Sequence, residues 1–297
     1  MNLRQGRHSQ ISALGFWMLL SGVGKHLASS WCCRRPASAL SLLTVSFLAV
    51  RTLCSGDRGA FMCGNSASSM AKPVIVPAKG SHTASLIFLH GLGDTGHGWA
   101  SGLEEVVRSA GLHHVKIVCP TAPTIPVTLN MGFRMPAWFD ITSLSFDEDQ
   151  DQDRITESSK LLNNLIDEEE KSGIPSNRIV IGGFSQGGAI ALYTALTTER
   201  QLGGVLALST WLPLHTKFPG AFVGSRRDYP VLQCHGDSDP VVNMQYGVMT
   251  STLLKEQFCS NHTFRQYPGL GHSSCPPEMK DSADFLVKVL PSASSKN

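Results

Sequence analysis

Residues 1–56 contain no Asp or Glu. The whole chain of 297 residues lacks a C-x-x-C pair, an internal repeat, and a glycine-rich phosphate loop of the P-loop or dinucleotide kind. Each absence removes a class of function. Without C-x-x-C, a zinc ribbon or a thioredoxin-like redox site is excluded, although eight cysteines are present. Without the phosphate loops, nucleotide chemistry of the common types has no cradle. The apolar runs Ile11 to Gly24 and Pro36 to Val50 fall short of the ~20 residues that cross a bilayer. Charged residues make up only 16%, and the formal net charge of +2 gives no dedicated nucleic-acid surface. The basic excess is local, carried early by Arg4, Arg7, Lys25, Arg34, Arg35 and Arg51.

Several features then speak for a globular enzyme. Apolar residues make up 42%, enough for a sizeable core without disulfides. Cys119 and Cys234 fall in expected strands as small apolar residues, which suits a reducing compartment. Residues 1–70 read as separate from the core. Their acid-free, Arg- and Ser-containing composition suits a targeting segment for an organelle such as the mitochondrion. It equally suits an upstream extension with a second start at Met62. Residues 71–292 read as one domain and 293–297 as a tail. Strand-like runs begin at Pro73, Ser85, Val115, Arg178, Gly204, Tyr229 and His262, and helical patterns fall between them. That alternation predicts an α/β fold, a mostly parallel sheet with helices on both faces. Residues 121–150 are expected to be a long connection rich in apolar side chains, either a lid or substrate wall or a loop packed on the core. Met244 to Phe258 is expected to be one helix.

The stretch Gly183-Phe184-Ser185-Gln186-Gly187 fits G-x-S-x-G between a β-branched run and an apolar helix. A strand, a sharp turn at serine and a helix form the context in which this motif presents a nucleophile. A serine hydroxyl is a weak nucleophile and needs a base, which in turn needs an orienting carboxylate. On this kind of scaffold the order along the chain is Ser, acid, His. Downstream, Asp237 and Asp239 both follow a strand, and spacing does not choose between them. His272 stands in a glycine-flanked loop after the last strand, which makes it a better base than His215 or His262. An oxyanion would need the N–H of Gln186 and a second donor from the loop His90-Gly91-Leu92-Gly93.

Taken together, Phe88-Leu89-His90-Gly91-Leu92-Gly93-Asp94, Met135-Pro136-Ala137-Trp138-Phe139-Asp140, Gly183-Phe184-Ser185-Gln186-Gly187-Gly188, Trp211-Leu212-Pro213-Leu214, Gln233-Cys234-His235-Gly236 and His272-Ser273-Ser274-Cys275 resemble the acyl-protein thioesterases, also called lysophospholipases, small α/β-hydrolase carboxylesterases. The resemblance spans about residues 62–291. It implies a triad of Ser185, Asp239 and His272, with oxyanion donors at the Leu92 and Gln186 backbones. It implies an acyl channel near Trp138, to which Met135 and Phe139 also belong. No cofactor or metal is implied. The substrates would be fatty-acyl thioesters on S-acylated protein cysteines, and lysophospholipids. Cys63 matches the family's palmitoylation site, which implies a cytoplasmic protein that associates reversibly with membranes, as a monomer or weak dimer. The family usually has proline where Asn243 stands. A general short-chain carboxylesterase and a non-catalytic lipid-binding homologue are the alternatives.

Overall fold

The computed structural model describes residues 71–292, except 144, 146–149 and 225–227. Cys63, Leu144 and Phe146, the 1–70 segment and the 293–297 tail therefore lie outside the described residues.

Seven strands form the main sheet. In chain order they are β1 (Val74–Val76), β2 (Ala84–Leu89), β3 (Val115–Cys119), β6 (Ile179–Phe184), β7 (Gly204–Leu208), β8 (Val231–Gly236) and β9 (His262–Tyr267). Their spatial order is β1-β3-β2-β6-β7-β8-β9. Only β1 runs antiparallel, pairing Val74 with Cys119; the other neighbours are parallel. Pro73 and Pro77 flank β1, where a missing N–H costs least because the strand is an edge. Among the described residues, five helices cover the sheet: α1 (Gly96–Ser109), α2 (Gln152–Lys171), α3 (Gln186–Thr197), α4 (Met244–Leu253) and α5 (Pro276–Val289).

The central strands are apolar on both faces because side chains alternate with period two and helices cover each face. Leu86 and Phe88 of β2, Val180 of β6, and Leu206 and Leu208 of β7 pack with Leu103 and Val106 of α1 and Leu286 of α5. Their neighbours Ile87, Leu89, Ile179, Ile181, Val205 and Ala207 pack on the opposite face with Ile155, Leu162 and Ile166 of α2 and the apolar residues of α3. The Asp151 carboxylate caps α2 by accepting from the Arg154 N–H, and Gly173, at φ +96°, turns the chain away at its end.

Two expectations need correcting. Residues 121–150 are not one irregular connection: β4 (Thr124–Val127) and β5 (Phe133–Pro136) form a two-stranded antiparallel hairpin with Ile125 opposite Met135. Pro126 and Pro136 argue against strands, yet both strands here are edges, which is where proline is tolerated. The α4 helix is not uniform to Phe258 either. It ends at Leu253, and Leu254–Phe258 widen into a π turn that buries Leu254 and Phe258.

Candidate active site

Ser185 is the single residue between β6 and α3, at φ 53° and ψ −121°. A non-glycine residue held there stores strain, and such strain gathers at functional sites. The flanking glycines allow the turn. A Cβ on Gly183 would lie 2.4 Å from the Gly187 carbonyl carbon, and one on Gly187 would lie 2.3 Å from the Leu89 oxygen. The turn is pinned on both sides. The Ser185 N–H donates to the Leu208 carbonyl at 2.9 Å, and Thr210 Oγ1 donates to the Ser185 carbonyl at 2.7 Å. The hydroxyl is not spent on capping α3, and it stands where the first N–H groups of the helix are unpaired.

Asp239 and His272 arrive from the loops after β8 and β9, neighbouring strands in register from Val231–His262 to Gly236–Tyr267. His272 Nδ1 lies 2.7 Å from Asp239 Oδ2. Asp239 Oδ1 accepts the Val241 and Val242 N–H groups, each at 2.9 Å. The carboxylate accepts only, so Nδ1 carries the proton and Nε2 is left as the basic nitrogen. The imidazole ring sits 4.7 Å from the ring of Phe184, the residue before the serine. No hydrogen bond joins Ser185 Oγ to His272; such bonds are often long before substrate binds and tighten in the reacting complex.

The competing sequence candidates fall elsewhere. Asp237 is exposed and accepts from Ser238 Oγ at 2.9 Å and the Gly269 N–H at 2.7 Å, so it shapes the two loops without touching His272. His262 meets Gln233 Oε1 at 3.1 Å, and burial pushes its pKa down to about 4. A residue without a role in the sequence reading is His235. Its Nε2 donates to the Val242 carbonyl at 2.8 Å and stands 3.7 Å from Asp239 Oδ2, and burial holds the ring below its ordinary pKa.

The loop after β2 stands against the serine. A Cβ on Gly91 would lie 3.4 Å from Ser185 Cβ. The Gly93 N–H donates to the Pro136 carbonyl at 2.8 Å, which ties this loop to the hairpin. The three residues expected near an acyl channel occupy different levels. Met135 is half-buried, its sulfur 3.6 Å from where a Cβ on Gly93 would sit. Trp138 and Phe139 lie buried beneath the loop. The Trp138 indole Nε1–H donates to the His90 carbonyl at 2.8 Å, and Ser158 Oγ donates to the Trp138 carbonyl at 2.5 Å. Gln186, expected only as a backbone donor, also works through its side chain. Its Oε1 accepts the Trp138 N–H at 2.8 Å, and its Nε2 donates to the Phe139 carbonyl at 2.6 Å. The serine turn, the tight glycine loop and the imidazole–carboxylate pair thus all stand after the C-terminal ends of parallel strands, where such sheets place their sites. The set can run acyl transfer through a serine ester. Among the described residues, no three His, Cys, Asp or Glu side chains gather as a metal site.

Comparison with known proteins gives the same outline. The sequence profile of the phospholipase/carboxylesterase family matches residues 70–290. The chain is 45% identical over 232 residues to acyl-protein thioesterase 1 of Neurospora crassa, covering 76% of this chain and 94% of that protein. It is 45% identical over 231 residues to acyl-protein thioesterase 1 of Gibberella zeae, covering 75% and 98%. Among solved structures, Zea mays acyl-protein thioesterase 2 superposes with a TM-score of 0.67 at 34% identity, over 74% of this chain and 99% of that one. A Bacillus cereus carboxylesterase, at 21% identity and a TM-score of 0.60 over 75% and 96%, shares the fold.

Proposed function

The chain belongs to the phospholipase/carboxylesterase family of α/β-hydrolases, and we propose that it is a serine hydrolase that removes fatty-acyl groups from S-acylated protein cysteines. The observation that carries this reading is the 2.7 Å contact between His272 Nδ1 and Asp239 Oδ2, set beside a serine held at φ 53°, in a chain 45% identical to a named acyl-protein thioesterase.

The chemistry follows in two halves. Ser185 Oγ attacks the thioester carbonyl while His272 Nε2 takes its proton, and Asp239 steadies the imidazolium through Nδ1. The carbonyl oxygen becomes an oxyanion that accepts from the Leu92 and Gln186 N–H groups. The C–S bond then breaks, the cysteine sulfur leaves and takes the proton from His272, and the acyl group stays on Ser185. In the second half, water attacks the acyl ester as His272 removes its proton, and the fatty acid departs as Ser185 recovers its hydrogen. A cysteine thiol has a pKa near ~8.5, so its sulfur leaves more readily than an alkoxide. The same groups can cleave lysophospholipid oxygen esters.

A membrane-borne substrate suits the surface beside the site. Met131 and Phe133, at the turn of the β4–β5 hairpin, are 79% and 62% exposed. Two large apolar side chains exposed at the turn of the hairpin, whose other end is tied to the Leu92 loop through the Gly93 N–H and the Pro136 carbonyl, favour contact with acyl chains. No helix of the described residues is long and apolar enough to cross a membrane. The association meant here is a transient one at the surface. Acylation of Cys63 would strengthen it, one chain alone being marginal.

The test is hydrolysis of a palmitoyl-cysteine peptide by the wild type and by Ser185→Ala. Turnover by the wild type alone, with fluorophosphonate labelling at Ser185, supports the reading. Turnover by Ser185→Ala at the wild-type rate would refute it. Best turnover with acetyl esters would point to the short-chain carboxylesterase instead.

A further inference from the structure

His90 is fully buried at the end of β2, yet both nitrogens of its ring are engaged by backbone. The Ala122 N–H donates to Nε2 at 3.0 Å, and Nδ1 lies 2.6 Å from the Gly91 carbonyl oxygen. A backbone N–H can only donate, so Nε2 must be the acceptor. A carbonyl can only accept, so Nδ1 must carry the hydrogen. The tautomer is therefore fixed by its two partners. A second proton on Nε2 would oppose the Ala122 donor, and burial acts in the same direction by lowering the pKa of this ring.

The Gly91 carbonyl belongs to the same planar peptide unit as the Leu92 N–H. In a trans peptide these two groups point in opposite directions. Whatever holds the Gly91 oxygen therefore aims the Leu92 hydrogen. Here the oxygen accepts from the buried ring at 2.6 Å and, less closely, from the Asp94 N–H at 3.3 Å, and the Leu92 N–H takes no partner among the described residues. It leaves from the face of a loop whose Gly91 abuts Ser185 Cβ. The preceding peptide is clamped too, since the Trp138 indole N–H holds the His90 carbonyl at 2.8 Å. Downstream, the Gly93 N–H is held by Pro136.

We infer that His90 is a positioning residue that aims the Leu92 N–H at the developing oxyanion, with Trp138 bracing the same loop through its indole N–H. Neither side chain touches the reacting atoms. They act by removing the freedom of two successive peptide planes, so the donor needs no reorganisation as charge appears. This inference rests on the serine-hydrolase reading above.

The experiment uses the full chain with a palmitoyl-cysteine peptide as substrate and a long-chain alkyl trifluoromethyl ketone as probe. Ser185 adds to the ketone carbonyl, and the resulting alkoxide sits where the oxyanion forms. His90→Leu removes both ring contacts; His90→Asn keeps one amide donor near the Nδ1 position; Trp138→Phe removes only the indole donor. Fluorophosphonate titration of Ser185 counts folded sites in each preparation, so loss of folded protein is not read as loss of rate. We expect His90→Leu to lower kcat about 10²-fold, the scale of one lost oxyanion donor, and to weaken the ketone by a similar factor. KM should move less than about threefold, because ground-state acyl binding does not use this donor. His90→Asn should recover part of both losses, and Trp138→Phe should lower kcat and ketone affinity together. If His90→Leu does not fold, the same paired loss in the other two variants carries the test. A fall in kcat with ketone affinity intact, or no fall in either, would overturn the inference. If the wild type itself neither hydrolyses the peptide nor labels at Ser185, the hydrolase reading fails instead.

Discussion

His272 and Asp239 meet at 2.7 Å, although one follows β9 and the other β8. The carboxylate is buried, and its other oxygen is occupied by two backbone N–H groups, so it has one oxygen left for the imidazole. Asp239→Asn keeps the shape but lets an amide N–H face Nδ1, which favours the wrong tautomer. We expect kcat to fall by about 10³–10⁴ while KM changes little. Asp237→Asn, two residues away, should cost less than about tenfold, because Asp237 meets only Ser238 and Gly269. Steady-state kinetics of the two variants side by side checks the assignment, and equal losses would contradict it.

Gly187→Ala should remove activity and stability together. The added carbon would lie 2.3 Å from the Leu89 oxygen and 2.6 Å from the His90 oxygen. Both are backbone atoms, which cannot swing aside, so the turn must open. A loss above about 3 kcal/mol in denaturant unfolding is expected, with no fluorophosphonate labelling in whatever remains folded.

Glu278, in the first turn of α5, is fully buried and neither carboxyl oxygen has a partner. Burial first, and the Asp281 charge second, push its pKa up to about 8 from 4.5. The folded chain thus holds this proton after the unfolded chain has released it. The associated stability is fully present below pH 4.5 and is lost as the pH rises through about 8. Glu278→Gln carries no charge to lose. Its melting temperature should match the wild type near pH 4.5 and exceed it near pH 8, with a gain of at least about 1 kcal/mol. A constant difference across that range would show that the carboxyl does not titrate as described.

At the far end of the sheet, Glu169 of α2 accepts from Ser85 Oγ at 2.5 Å and pairs with Lys116 Nζ at 2.5 Å. Glu169→Ala removes the ion-pair partner of Lys116 and the acceptor of the buried Ser85 hydroxyl, which keeps its contact with His82 Nε2 at 2.9 Å. We expect a loss of about 2–3 kcal/mol, below the range of a fully buried pair because Lys116 reaches solvent. Turnover per folded molecule should be unchanged, which chemical denaturation and active-site titration together would measure.

The membrane part of the proposal has its own test. Replacing Met131 and Phe133 with Asp removes apolar surface without entering the core. Turnover of a palmitoylated protein on vesicles should fall about tenfold or more, the scale of burying one or two large side chains. Turnover of a soluble short-chain ester should stay within about twofold. Parallel losses on both substrates would place the effect in the site itself.

Much of this was visible in residue order, for physical reasons. The stretches Leu86–Leu89, Ile179–Ile181 and Val205–Leu208 are apolar at every position because the sheet is covered on both sides, and this marks them as central strands. The glycines around Ser185 announce a turn too tight for side chains. What stayed hidden depends on contacts between distant segments. Nothing in the order of residues says that the His90 ring turns back on the Gly91 carbonyl, or that the Gln186 amide reaches Trp138 and Phe139. The choice between Asp237 and Asp239 lies in which carboxylate the Val241 and Val242 N–H groups can reach. The β4–β5 hairpin escaped notice because its prolines read as breakers, a rule that lapses when both strands are edges.

One consequence follows from where β9 sits. It is the outermost strand on its side of the sheet and is joined to the rest through β8 alone. The base hangs from its far end, whereas the nucleophile is anchored in the middle of the stack. A molecule whose margin has peeled would therefore still look native over most of its length and would keep its reactive hydroxyl in place, yet have nothing to deprotonate it. Under gentle denaturation, silence should come before collapse.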